Sequence, residues 1–102
     1  MEQITNENYA GFIANEDLSL IKIGASWCGP CRMVAPILER VNNELTDVNI
    51  AEIDAEEQPE LSRELSVRNI PTTIFYKNGE EVYRHTGAFS EAQLKTLISE
   101  HK

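Results

Sequence analysis

A buried strand pattern that runs directly into a long amphipathic helix constrains the fold of this chain most. Residues Leu18 to Ala25 form an apolar run, as expected for a strand covered on both faces. From Val34 to Leu45 the apolar residues recur about every 3.6 positions, which predicts a helix from about Cys28 to Leu45. Both cysteines of the chain lie in Trp27–Cys31, where the two patterns meet. We therefore expect both thiols at the start of this helix.

Shorter patterns of the same kind occupy the rest of the chain. Strands are predicted at Val48 to Asp54, Thr72 to Lys77 and Glu81 to Thr86, and helices around Tyr9 to Ile13, around Leu61 to Leu65 and after Ser90. Thr5 and Asn6 suit the N-cap of the first helix, and Pro36 predicts a kink in the long one. Asn78-Gly79 is typical of a two-residue hairpin.

The order of these elements predicts an α/β fold. Strand–helix–strand units favour parallel pairing, and the hairpin adds antiparallel strands. We expect a central mixed sheet of four to five strands, flanked on both faces by four helices. With 102 residues, 41% of them hydrophobic, the chain can form one domain, residues 1–102, around a modest core.

The charge of the chain excludes several classes of partner. Seventeen acidic and nine basic side chains give a net charge of −8, which disfavours nucleic acid and anionic membrane surfaces.

No window of the sequence approaches the length of a membrane span. Residues Met1 to Glu7 lack the basic and apolar segments of a signal peptide, so we expect a cytoplasmic protein. A mature form without its leader would look the same.

The cysteine spacing points to redox chemistry. A thiol attacks only as its thiolate, and the unpaired N–H groups and dipole at a helix start favour that anion. Thiols in such motifs have pKa values of roughly 3.5–7.5. Cys28 lies at the predicted helix start, before Pro30, whereas Cys31 lies deeper in the first turn. We expect Cys28 to attack a disulfide and Cys31 to resolve the mixed disulfide that results.

A zinc site or a purely structural disulfide would fit the cysteine pair less well. Zinc would need two more ligands, and His85 and His101, the only histidines, match no zinc spacing. A structural disulfide would close a very short loop here and remove little entropy from the unfolded chain. We therefore expect no bound metal, and we also expect that the chain itself binds no cofactor.

Motifs along the whole chain resemble the thioredoxin family. The matching segments are Trp27–Cys31, Met33, Ala35–Leu38, Ile70–Thr72, Lys77–Gly79 and Gly87-Ala88. Their order and spacing match from about residue 4 to residue 100. The resemblance implies a three-layer α/β/α thioredoxin fold. It also implies an enzyme, a protein-disulfide reductase that acts as a monomer.

The resemblance also assigns roles to residues. It implies that Cys28 is the exposed nucleophile, that Cys31 is the buried resolving thiol, and that Pro71 is a cis-proline facing the disulfide. It assigns a flat apolar docking surface to Trp27, Gly29, Pro30, Ile70, Pro71, Gly87 and Ala88. An extended client strand would hydrogen bond to the backbone beside Pro71. Gly87 is explained equally well as a turn residue.

Three positions depart from the family pattern. Lys22 occupies the position of a buried aspartate, and Glu52 occupies that of a lysine on the neighbouring strand. We expect an exchanged ion pair that supports the active site, because a buried lysine is tolerable only beside a carboxylate. The alternative is that both side chains are exposed and unpaired. Gly24 replaces a tryptophan, which predicts a more open site and a close approach of another group.

The resemblance further implies partners. A separate flavoprotein, thioredoxin reductase, would restore the dithiol with electrons from NADPH, and disulfide-containing proteins would be the clients. A thioredoxin-like protein dedicated to one client, or an oxidant, would use the same chemistry. A non-catalytic docking subunit that uses the apolar face around Trp27 and Pro71 is the alternative from another class.

Overall fold

Five strands and four helices make up the fold, as seen in a computed structural model that describes residues 1–102. The elements are β1 (Glu2–Gln3), α1 (Tyr9–Ile13), β2 (Leu18–Gly24), α2 (Gly29–Glu44), β3 (Val48–Asp54), α3 (Pro59–Glu64), β4 (Thr72–Lys77), β5 (Glu80–Thr86) and α4 (Glu91–His101). The strands form one sheet in the order β1-β3-β2-β4-β5. β3 pairs in parallel with β1 and β2, whereas β4 pairs antiparallel with β2 and β5. The predicted mixed sheet is confirmed.

Both faces of the sheet are covered, which confirms the three-layer α/β/α architecture. Leu18 and Leu20 of β2 pack with α2 and α4, whereas Ile21 and Ile23 pack with residues of α1 and α3. All seven residues of β2 are buried, which explains why apolar residues occur in both of its alternating sets.

The N-terminal segment differs from the prediction. β1 was not predicted, because two residues are too short to show a period. α1 begins at Tyr9, with Asn8 rather than Thr5 or Asn6 at its N-cap position. The preceding residues form a turn instead: the Thr5 hydroxyl accepts from the backbone N–H of Glu7, and the Asn8 side chain accepts from the N–H of Thr5.

The long helix α2 has the predicted extent, with Cys28 as N-cap and Leu45 as C-cap. It continues through Pro36, which lies on the exposed side. Two salt bridges join α2 to α4: Arg40 Nε lies 2.8 Å from a Glu91 oxygen, and Lys95 Nζ lies 2.6 Å from a Glu44 oxygen. Within α4, Lys95 Nζ also lies 3.4 Å from Glu91. The two ion pairs between helices add to the apolar packing of α2 and α4 on one face of the sheet.

The Glu91 ion pair predicts a pH-dependent stability. The hydrogen bond from Arg40, and then that from Lys95, hold the pKa of Glu91 below its usual range. A depressed pKa stabilises the fold above the usual carboxyl pKa, and this contribution is lost as the pH falls through the folded value. Glu91→Gln should lower the thermal midpoint slightly near neutral pH, because the pair is exposed. The difference should vanish in acid.

Thermal unfolding followed by circular dichroism across this pH range checks the prediction. Glu100→Gln is the matched control, because Glu100 is an exposed carboxylate of the same helix that forms none of these ion pairs. A Glu91→Gln effect that is the same at neutral and acid pH would contradict the proposed role of the ion pair.

Candidate active site

The two cysteines lie where the end of β2 leads into α2. Cys28 and Cys31 are joined by a disulfide bond with their Cα atoms 5.2 Å apart. Cys28 is the N-cap of α2, and Pro30 lies in the first turn, where a missing N–H costs nothing. Because β4 runs antiparallel to β2, with Thr72 opposite Ile23, the start of β4 lies at the same edge of the sheet.

The helix start acts directly on the sulfur of Cys28. Cys28 Sγ accepts a hydrogen bond from the backbone N–H of Cys31 at 3.3 Å. This is the N-cap arrangement in which a side-chain acceptor satisfies one of the unpaired N–H groups of the first turn. The same contact, together with the positive end of the helix dipole, favours negative charge on this sulfur once the disulfide is reduced.

One expectation about Cys28 is wrong for the oxidised state. The resemblance implies an exposed nucleophile, but Cys28 is only 5% exposed, against 1% for Cys31. The reason is local packing: its sulfur is bonded to Cys31, lies 3.9 Å from the Ile70 carbonyl oxygen, and the pair packs against Ala25 and Ile70. The neighbouring Trp27 is 66% exposed.

Pro71 lies directly before β4, and its peptide bond with Ile70 is cis, as the resemblance implies. Its carbonyl oxygen accepts a hydrogen bond of 2.8 Å from the N–H of Gly87. Gly87 has a φ of +97°, a conformation that favours glycine, so the backbone conformation is sufficient to explain a glycine here. These contacts join the loop before β4 to the loop after β5.

The residues expected to form the docking surface differ in accessibility. Trp27, Gly29, Pro30 and Ala88 are exposed, Ile70 and Gly87 are half-buried, and Pro71 is buried. The structure brings Ile70 against Cys28 and Pro71 against Gly87. A molecule that approached the disulfide would therefore meet the exposed residues of this set first.

The predicted ion pair between Lys22 and Glu52 is confirmed. Lys22 Nζ lies 3.1 Å from a Glu52 carboxylate oxygen, and the two residues face each other in the register of β2 and β3. Lys22 is buried, whereas the Glu52 side chain is 27% exposed. The other Glu52 oxygen accepts from the Gln3 side-chain amide at 2.6 Å. Gln3 was missed because β1 carries no readable pattern.

A cavity of about 170 Å³ lies beside the second cysteine. Its lining comprises Gln3, Lys22, Gly24, Ala25, Ser26, Cys31, Arg32, Ala35, Glu52, Ile53 and Asp54. A Cβ atom on Gly24 would lie 2.9 Å from Cys31 Sγ and 3.2 Å from Cys31 Cβ. The predicted close approach at Gly24 is therefore confirmed, and the approaching group is the disulfide itself.

This contact predicts that Gly24→Ala destabilises the oxidised protein. Overpacking of a buried site costs about 1–3 kcal/mol, and the bonded Cys31 sulfur cannot rotate away. In the reduced protein the thiol can adopt another rotamer, so the loss should be smaller. Urea unfolding of both redox forms measures the difference.

Gly11→Ala is the matched control for this substitution. An added methyl group at Gly11 would meet nothing within 4 Å, and Gly11 lies in α1, outside the segment that carries the disulfide. If Gly24→Ala left the oxidised form as stable as Gly11→Ala does, close packing against Cys31 would not explain the glycine.

The fold and the disulfide together define a class: thiol–disulfide oxidoreductases with the three-layer α/β/α fold. The family model described as Thioredoxin matches residues 1–100 of this chain. The chain belongs to the thioredoxin family. It is a protein-disulfide oxidoreductase with Cys28 and Cys31 as its disulfide-forming pair.

Individual relatives match over nearly their full length. Thioredoxin of Chlamydia trachomatis is 40% identical over 102 residues, which cover 100% of this chain and 99% of the relative. Thioredoxin of Chlamydia pneumoniae is 42% identical over 98 residues, with 96% and 95% covered. The crystal structure of Malassezia sympodialis thioredoxin has a TM-score of 0.87 at 27% identity, covering 99% of this chain and 90% of that one.

Two features are absent from the fold. None of the four helices combines the length and the apolar composition needed to cross a lipid bilayer. No group of three or more His, Cys, Asp or Glu side chains is arranged to hold a metal ion.

Proposed function

We propose that this protein reduces disulfides in client proteins, with Cys28 as the nucleophile and Cys31 as the resolving thiol. The observation that carries the assignment is the hydrogen bond from the Cys31 N–H to Cys28 Sγ at the start of α2. This contact supports the thiolate at Cys28 rather than at Cys31.

The proposed reaction balances in two exchange steps. The Cys28 thiolate attacks one sulfur of the client disulfide, which forms a mixed disulfide and releases the other client sulfur as a thiolate. Cys31, as its thiolate, then attacks Cys28 Sγ, which closes the Cys28–Cys31 disulfide and releases the second client thiolate. Two electrons pass from the dithiol to the client, and the client thiolates take up protons according to the pH.

Client binding is proposed on the surface formed by Trp27, Gly29, Pro30, Ile70, Pro71, Gly87 and Ala88. Trp27 is one of only three large exposed apolar side chains of the chain, and it directly precedes Cys28. Ile70, beside Pro71, contacts the Cys28 sulfur, so a client strand lying along this backbone would bring its disulfide to the nucleophile.

We further propose the setting in which this activity operates. Residues 1–102 act as one thioredoxin-like domain and as a monomer in the cytoplasm. A thioredoxin reductase, a separate flavoprotein, recycles the disulfide with electrons from NADPH, and disulfide-containing proteins are the clients. Family membership supports this setting, and the Cys28–Cys31 disulfide that forms in each exchange must be reduced again before the next one.

Insulin reduction with NADPH and a thioredoxin reductase tests the proposed function. The wild-type protein should turn over. Cys31→Ser should lose turnover and accumulate a mixed disulfide with insulin, because the resolving step is removed. Cys28→Ser should lose both turnover and the mixed disulfide. A Cys31→Ser variant that kept turning over would exclude the proposed order of attack, and a docking subunit would keep its client in all three forms.

The accessibility of Cys28 needs its own measurement, because this residue is nearly buried in the oxidised structure. After reduction, the Cys28 sulfur is no longer bonded to Cys31, and iodoacetamide should modify it first at neutral pH. Mass spectrometry of the alkylated protein identifies the modified residue. If Cys28 stayed unmodified in the folded reduced protein, it would not be the nucleophile.

A further inference from the structure

A row of polar side chains crosses all five strands at one level of the sheet. In the strand register, Gln3 lies opposite Glu52, Glu52 opposite Lys22, Lys22 opposite Thr73, and Thr73 opposite His85. Residues two positions apart on a strand share a face, so this row lies on the face of the sheet that packs against α2 and α4. Near the start of α2, polar side chains therefore take the place of the apolar ones that cover the rest of this face.

Lys22 is a member of this row that lies near the disulfide. Its Cδ atom is 3.6 Å from the point where a Gly24 side chain would begin, and Cys31 Sγ is 2.9 Å from the same point. Both Lys22 and Cys31 line the cavity, and Cys28 does not. The lysine side chain and the second sulfur therefore both lie next to Gly24, at the wall of the same cavity.

The other charged groups around the cavity are more strongly screened. Glu52 is partly exposed and divides its carboxylate between Lys22 and Gln3. Asp54, half-buried, accepts hydrogen bonds from the backbone N–H groups of Glu56 and Glu57.

Two titratable side chains remain, one in the cavity lining and one in the polar row. Arg32, on α2, is exposed to solvent. At the other end of the row, a ring nitrogen of His85 lies 3.1 Å from the Ala88 carbonyl oxygen. Lys22 is therefore the one charged group lining the cavity that is more than nine-tenths buried, and a buried charge acts most strongly on its neighbours.

We propose that Lys22 is a positioning residue whose buried ammonium favours the thiolate of Cys31 and makes the disulfide easier to reduce. The inference rests on the proposed function, in which Cys31 resolves the mixed disulfide. A nearby cation stabilises an anionic thiolate but not a neutral disulfide, so it shifts the exchange equilibrium toward the reduced form. Glu52 holds the ammonium in place and weakens its field at Cys31.

Substitutions of Lys22 and of Glu52 should therefore shift the titration of Cys31 in opposite directions. Lys22→Met keeps the aliphatic stem but removes the charge, so Cys31 should titrate at higher pH. Glu52→Gln removes the screening carboxylate, so Cys31 should titrate at lower pH. A purely structural ion pair would lose stability in both variants, but it would not move the titration in opposite directions.

The decisive variant exchanges the two charges, Lys22→Glu with Glu52→Lys. It can keep the ion pair between the two strands while it places a carboxylate in the cavity that Cys31 lines. Cys31 should then titrate at higher pH than in Lys22→Met, and the disulfide should become harder to reduce. This variant also keeps the test informative if a single substitution fails to fold.

Two measurements on the full chain read out the effect. Carbon-13 NMR of the Cys31 Cβ in the reduced protein follows its titration separately from that of Cys28. Equilibration with glutathione, followed by fluorescence of Trp27, the only tryptophan, gives the exchange equilibrium. We expect Lys22→Met to shift this equilibrium about tenfold toward the disulfide, which corresponds to about 30 mV for this two-electron couple.

Lys102→Met is the matched control for loss of a positive charge. Lys102 pairs with Asp47 at 2.8 Å in an exposed ion pair outside the cavity, so its removal should leave the Cys31 titration unchanged. Equal titrations and equilibria in the wild type, Lys22→Met and the charge-exchanged variant would overturn the proposal. Neither measurement uses a client or a reductase, so this outcome is distinct from a failure of insulin reduction.

Discussion

Strand β2 is the element on which the rest of the structure depends, because it is buried on both faces and hydrogen bonded along both edges. β3 pairs with one edge and β4 with the other, and all seven residues of β2 are buried. This pairing and burial fix the position of Gly24, at the end of β2, relative to β3 and β4. The start of α2, and with it the disulfide, follows from that position, as does the proximity of Ile70 to Cys28.

The two sulfurs occupy different environments although only two residues separate them. Cys28 receives the N–H of the first helical turn and lies against Ile70. Cys31 faces the sheet, where it meets Gly24 and a cavity that Lys22 and Glu52 also line. The environment of one sulfur is thus built by a helix terminus and a loop, and that of the other by the sheet. Different groups therefore act on the two thiols.

Much of the fold could be predicted, because its main elements have strong local patterns. The period of α2, the apolar run of β2 and the hairpin at Asn78-Gly79 each depend on neighbouring residues alone. The resemblance also led to the Lys22–Glu52 pair, which the structure confirms at 3.1 Å. By contrast, β1 is defined only by the pairing of Glu2 and Gln3 with β3, so no local sequence pattern predicts this strand.

The sequence by itself determined the α/β order, the helix start at Cys28 and the kind of chemistry that two thiols at this spacing perform. Propensities, periodicity and spacing act over a few residues, so they can be read along the chain. Only the tertiary structure decided that Cys28 is nearly buried when oxidised, and that a five-residue polar row lies across the sheet near Cys31. Those features depend on strand register and packing between segments far apart in sequence, which no local pattern specifies.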